Sequence, residues 1–237
     1  MAHFLRFIAA IMALPFSVAM ALSLWSSIFA SAGRATVDGM PPGGIAFCAG
    51  FLSFFLLSII APAPVRTYVL GHELTHALWG LAFGAKVSNI KVGMSGGSVV
   101  LSKSNVWITL APYFFPFYTA IVALVALIWS FFADPLPCPW AWLFAVGFTW
   151  SFHVCLTLRT LFQSQPDVLE YGRLFSWSFI WIANAIGVMV VLCAATPLTI
   201  SNAASILRDR TMQAYSAVWN VMVYLYNVIV ATFGNGA

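Results

Sequence analysis

From Phe7 to Ala30 the chain carries no charged residue, and several later stretches come close to the same condition. A run of that length can cross the ~30 Å hydrocarbon core of a bilayer as a helix. This constrains the fold more than any motif does, because a helix that is apolar all round must be covered by lipid or by other helices. Charged residues make up 7% of the 237 positions and hydrophobic ones 62%, against roughly 25% charged in a soluble domain. There is too little polar surface to face water. The expected fold is an all-α polytopic membrane protein with about six or seven transmembrane helices, forming a single integral-membrane domain over residues 1–237.

Glycine, proline and charged clusters punctuate the apolar runs and divide them into spans at about 5–31, 44–62, 66–84, 105–132, 139–162 and 173–196. A last segment, about 202–233, opens on "RDR" and reads either as a seventh span or as a helix lying in the interface. The N-terminus has the basic start and A-x-A-like end of a signal peptide. Its apolar core is much longer than the 7–15 residues typical of one, so a retained first helix is expected.

The net charge of +4 comes from ten basic residues without a basic run. Positive charge scattered at the ends of spans is what membrane topology requires, and nothing here supports a nucleic-acid partner. The rule that cytoplasmic loops are basic gives a divided vote on orientation. With the N-terminus inside, Arg6, Arg66, Arg208 and Arg210 fall inside and the lysines of residues 86–105 fall outside. The four cysteines form no C-x-x-C pair, and three lie in apolar runs, where a thiol acts as a small hydrophobe.

One stretch departs from the helical pattern. "KVSNIKVGMSGGSVVLSKSN", residues 86–105, sets valines and an isoleucine around Gly93, Gly96 and Gly97, which reads as a β-hairpin. Within a bilayer its open edges are tolerable only against protein or a wet cavity.

The chemistry is concentrated in "GHELTHALWG", residues 71–80. The chain has only four histidines and six acidic residues, yet His72, Glu73 and His76 occupy five consecutive positions in a greasy segment. On a helix, residues four apart project from one face, so His72 and His76 can share a metal ion, with Glu73 beside them. This is the H-E-x-x-H arrangement of zinc hydrolases, in which the glutamate acts as general base. Random placement of these residue types would give the pattern in roughly one such chain in two thousand, which keeps the false-positive risk small. Ionisable groups inside a membrane are costly and are usually functional.

A catalytic zinc site takes three protein ligands and leaves one position open. Asp38, Asp134 and Asp209 sit in polar links, where solvation accounts for them. His153, Asp167 and Glu170 remain. Asp167 is favoured, because Pro166 interrupts helical hydrogen bonding in "FQSQPDVLEYGRLFS" and irregular backbone can line a cavity. An N-cap in a solvated loop would also account for an aspartate there. A strict alternating count of spans places residues 163–172 on the membrane side opposite the histidines. Asp167 then serves only if this stretch dips into the bilayer or the span boundaries differ; otherwise His153 is the better ligand.

These residues resemble the site-2 protease family of intramembrane zinc metalloproteases. The likeness runs over residues 66–180, through "GHELTHALWGLAFGAKV", "GMSGGSVV" and "ITLAPYFFPFYTAIVALV", and more faintly "QPDVLEYGRLFS". The resemblance implies a catalytic core at 66–180, zinc held by His72, His76 and Asp167, and Glu73 as base. It implies that the hairpin is re-entrant and that Val92, Gly93, Gly96, Gly97 and Val99 hold an extended membrane-protein substrate by strand addition. It also implies residence in a bilayer, with a bacterial cytoplasmic membrane as the expected location. The chain departs from the family at Asp167, where the family's Asn-x-x-Pro and Leu-Asp-Gly pattern is missing. Gln163, Gln165 and Arg159 are the alternatives for oxyanion stabilisation. The links are too short for an inserted PDZ-like or nucleotide-sensing domain, so no nucleotide partner is expected. Two other readings stand beside this one. The first is a membrane zincin with Glu170 as third ligand and a cleft open to one aqueous side. The second is a catalytically silent transporter or scaffold that retains the motif, although no internal repeat of the transporter kind is visible.

Overall fold

The computed structural model describes residues 1–32, 42–93, 96–133, 137–195 and 198–233. Asp38, Asp134 and the hairpin tip at Met94 and Ser95, all part of the sequence reading, lie outside these. In chain order the elements are α1 (Ala2–Ala32), α2 (Pro42–Ile60), α3 (Val65–Ala82), β1 (Val87–Val92), β2 (Gly97–Leu101), α4 (Val106–Phe114) and α5 (Phe117–Ser130). They continue with α6 (Pro139–Leu161), α7 (Pro166–Tyr171), α8 (Arg173–Ala195) and α9 (Ile200–Phe233). The described residues are 81% helical and include one small antiparallel sheet.

Among the described residues four helices are long and apolar enough to cross a membrane, at His3–Ile28, Pro139–Leu161, Arg173–Cys193 and Ile200–Thr232. Together they suggest an integral membrane protein. The pair α4 and α5 makes a fifth span if counted as one, and it is bent by 78° where Phe115 and Pro116 break it. The apolar part of α2, Gly44–Ile60, is shorter, and α3 carries Arg66, His72, Glu73 and His76 within its 18 residues.

The chain divides into two compact units. One comprises residues 1–36 and 172–237. Here α1 presents a seam of small residues, with Ala19, Ser23 and Ser27 all fully buried, and small side chains let helices approach closely in lipid. Pro15 interrupts the hydrogen-bond ladder of α1. On either side of it, Tyr215 Oη donates to the Met12 carbonyl at 2.6 Å and Trp181 Nε1 to the Ser17 carbonyl at 3.1 Å.

The other unit, residues 37–171, contains every candidate site residue. Its frame is α2 lying along α6 in the same direction. A Cβ on Gly50 would run into the Phe144 carbonyl, and one on Gly147 into the Phe47 carbonyl. The two backbones therefore touch where glycine alone fits. Below this crossing Phe54, Phe152 and Leu156 form a buried cluster packed by Tyr68, Tyr118 and Phe148. The Arg159 guanidinium donates to the Ser58 carbonyl in the last turn of α2, a favourable place for a cation.

The hairpin forms where the sequence places it. Val87 pairs with Leu101 and Val92 with Gly97, with an irregularity between Ser88 and Lys91 where Asn89 adopts a φ of +51°. It folds back over α3: Gly97 lies against Val69 and Glu73, and Leu101 against Gly80. From Asn105, whose side chain caps α4 by accepting from the Ile108 amide at 3.0 Å, the chain returns along α3. Ile108 lies beside His76 and Tyr113 beside His72. Trp79 locks the pair by packing against Trp107, Phe114 and Phe115.

Candidate metal centre

His72 and His76 sit one helical turn apart on α3, and their rings meet edge to face at 4.9 Å. Both direct Nε2 at one oxygen of α7: His72 Nε2 lies 3.3 Å and His76 Nε2 3.4 Å from Asp167 Oδ2. Among the described residues the group able to hold a metal is His72, His76 and Asp167, with one ligand atom from each lying within 4.8 Å of the others. Glu73 is on the same helix and 6% exposed. His153 does not belong to this group. It is buried on α6 and lines a small neighbouring cleft with His72, Gly71, Tyr118 and Phe152. Glu170 is exposed on α7 and is likewise not part of the group.

The chemistry of the donor set suits zinc. The Ile108 carbonyl can only accept, so His76 Nδ1, 2.9 Å away, carries the proton and donates it. In a neutral imidazole this leaves a lone pair on Nε2, facing a carboxylate oxygen that also only accepts. A cation between them resolves that conflict. Zinc bonds of about 2.0–2.2 Å in a tetrahedron put neighbouring ligand atoms roughly 3.3–3.5 Å apart, and the two histidine-to-aspartate distances are 3.3 and 3.4 Å. The bond from His76 to Ile108 is the outer-shell contact that commonly orients a ligating histidine.

Comparison with family models, with curated proteins and with solved structures gives no match to this chain. The site is read from its own geometry.

That geometry accounts for the parity conflict between the histidines and residues 163–172. The 105–132 segment is not one straight crossing, because α4 runs back along α3 and then breaks at Pro116. α5 starts beside the foot of α3, where Tyr118 Oη donates to the Thr67 carbonyl at 2.6 Å. α6 then ends at the level of Ser58, in the last turn of α2, from which a short link leads into α3. The six-residue α7 follows at once and presents Asp167 to His72.

Of the hairpin residues, Gly97 has the firmest connection to the site. A Cβ there would lie 2.6 Å from Glu73 Cγ and 2.8 Å from Glu73 Oε1. Gly93 and Gly96 close the turn, with the Gly93 amide donating to the Gly96 carbonyl at 2.9 Å, and Gly96 has a φ of +144°. Val92 and Val99 are half-buried. Gln163, an alternative for the oxyanion, is exposed, and Arg159 is engaged with Ser58. Sequence reasoning passed over Tyr113, whose hydroxyl donates to Asp167 Oδ2 at 3.0 Å. The available signal was a tyrosine placed directly after a proline in an otherwise apolar run.

Proposed function

We propose that this chain is an intramembrane zinc metalloprotease of the site-2 protease kind. In this reading six or seven helices sit in a bacterial cytoplasmic membrane, and the enzyme cuts a membrane protein within or near its transmembrane segment. The observation that carries the reading is the convergence of two imidazole nitrogens and a carboxylate oxygen beside Glu73, on a helix face crossed by a β-strand at Gly97.

Zinc, when bound, supplies a water of lowered pKa, towards ~7, and a Lewis acid for the scissile carbonyl. His72 and His76 would present Nε2 and Asp167 would present Oδ2, with His76 fixed in the required tautomer by Ile108. Glu73 takes the proton from the attacking water at its carboxylate and delivers it to the amine as the C–N bond breaks. A substrate helix buries its peptide bonds in its own hydrogen-bond ladder, so it must be held extended before it is cut. The outer edge of the hairpin has unpaired backbone groups that can add such a strand, and Gly97 brings β2 against the glutamate.

The test is Glu73→Gln in purified full-length protein, assayed in liposomes against a panel of single-span reporter proteins. This variant is expected to keep one zinc per chain and its thermal stability while cleavage falls by about 100-fold or more, the usual scale of a lost general base. Equal cleavage by variant and wild type, or none by wild type on any reporter, would overturn the reading in favour of a silent membrane protein.

A further inference from the structure

The third ligand rests on a weak element. α7 has only six residues, far below the length at which a helix holds itself in water, and it is followed by Gly172 at a φ of +89°. Asp167 must therefore be placed by what it touches. Besides the two histidines, the contact that fixes it is Tyr113: the fully buried phenol donates to Asp167 Oδ2 at 3.0 Å. The same oxygen faces His72 and His76. The Tyr113 ring also stands edge to face on His72, with centroids 5.4 Å apart. One residue of α4 thus touches a ligand from α3 and the ligand from α7.

We infer that Tyr113 is the positioning residue that holds Asp167 in place as a one-oxygen metal ligand. A carboxylate hinged at χ2 can offer either oxygen or both. A hydroxyl bonded to Oδ2 fixes which oxygen points between the histidines and occupies one of its lone pairs. This inference rests on the reading that His72, His76 and Asp167 hold zinc.

The experiment is zinc competition against a chelator of known affinity, on full-length protein in detergent, for wild type, Tyr113→Phe, Asp167→Ala and the double variant. Phenylalanine keeps the ring against His72 and removes only the hydroxyl. Tyr113→Phe is expected to bind zinc about 10–100-fold more weakly, the usual cost of losing an outer-shell partner. Its metal-free melting temperature should fall by only a few degrees, the cost of one buried hydrogen bond, and the hydroxyl should have no further effect on zinc affinity once Asp167 is alanine. Unchanged zinc affinity in Tyr113→Phe, or an equal loss in the Asp167→Ala background, overturns the positioning role while the zinc site stands. If wild type itself binds no zinc, the functional reading fails first. Should Tyr113→Phe fail to fold, infrared difference spectra of the wild type on zinc binding decide instead. A widely split pair of carboxylate stretches marks one-oxygen ligation, and a narrow pair contradicts it.

Discussion

Gly97→Ala is the sharpest test of the link between the hairpin and the Glu73 face of α3. The added Cβ would lie 2.6 Å from Glu73 Cγ, 2.7 Å from Val69 Cγ1 and 2.8 Å from Glu73 Oε1. Rotating the Glu73 carboxylate does not relieve the contact, because Cγ lies partway along the side chain. Val69 is β-branched and has one strongly preferred rotamer in a helix. Restoring ordinary contact of about 3.4–3.6 Å requires either the strand to lift or Glu73 to move, by roughly 0.8–1 Å. A displacement of that size at a catalytic group can cost about 100-fold in rate, or ~2.7 kcal/mol of barrier. His72, His76 and Asp167 are not touched, so under the proposed function zinc stoichiometry should be unchanged. The assay is kcat/KM on a cleaved reporter in liposomes with zinc measured on the same samples, and Ser98→Ala, exposed one residue along, serves as the neutral control. Cleavage within threefold of wild type, with zinc intact, would refute the packing of β2 on Glu73.

Two further substitutions probe how the site is supported. Asn105→Ala removes the cap that accepts from the Ile108 amide and should cost about 1 kcal/mol of stability; because the Ile108 carbonyl orients His76, zinc affinity should fall with it. Thermal unfolding and chelator competition read the two effects, and a variant unchanged in both would separate α4 from the metal centre. Gly147→Ala forces a methyl group against the Phe47 carbonyl and should destabilise by about 1–3 kcal/mol, the range for overpacking. Wild-type thermal stability in that variant would mean that α2 and α6 do not cross at Gly50 and Gly147.

What the sequence made legible was local. His72, Glu73 and His76 are visible because a helix converts a spacing of four residues into a shared face, with no knowledge of the rest of the chain. The hairpin was legible from the glycines between two valine-rich strands. Asp167 stood out as an acid beside a proline, but its partner His72 lies 95 residues earlier on α3, a distance that no local pattern spans. The count of crossings turns on Pro116. "FFPF" lies in plain view, yet hydropathy read 105–132 as one continuous span, whereas backbone geometry breaks it by 78°. Tyr113 was hidden for a related reason. An aromatic in an apolar run reads as core, and only its meeting with Asp167, 54 residues on, gives the hydroxyl a use. The last segment, read as a span or an interfacial helix, is one continuous helix from Ile200 to Phe233, long and apolar enough to cross a membrane.

The most direct measurement is anomalous scattering at the zinc edge, on crystals of the protein purified in lipid or detergent. The expected result is a single peak with His72 Nε2, His76 Nε2 and Asp167 Oδ2 at about 2.0–2.2 Å and one open coordination position. A peak ligated by His153 or Glu170 would contradict the metal centre described above. A well-ordered site that takes up no zinc on soaking would contradict the protease reading as a whole.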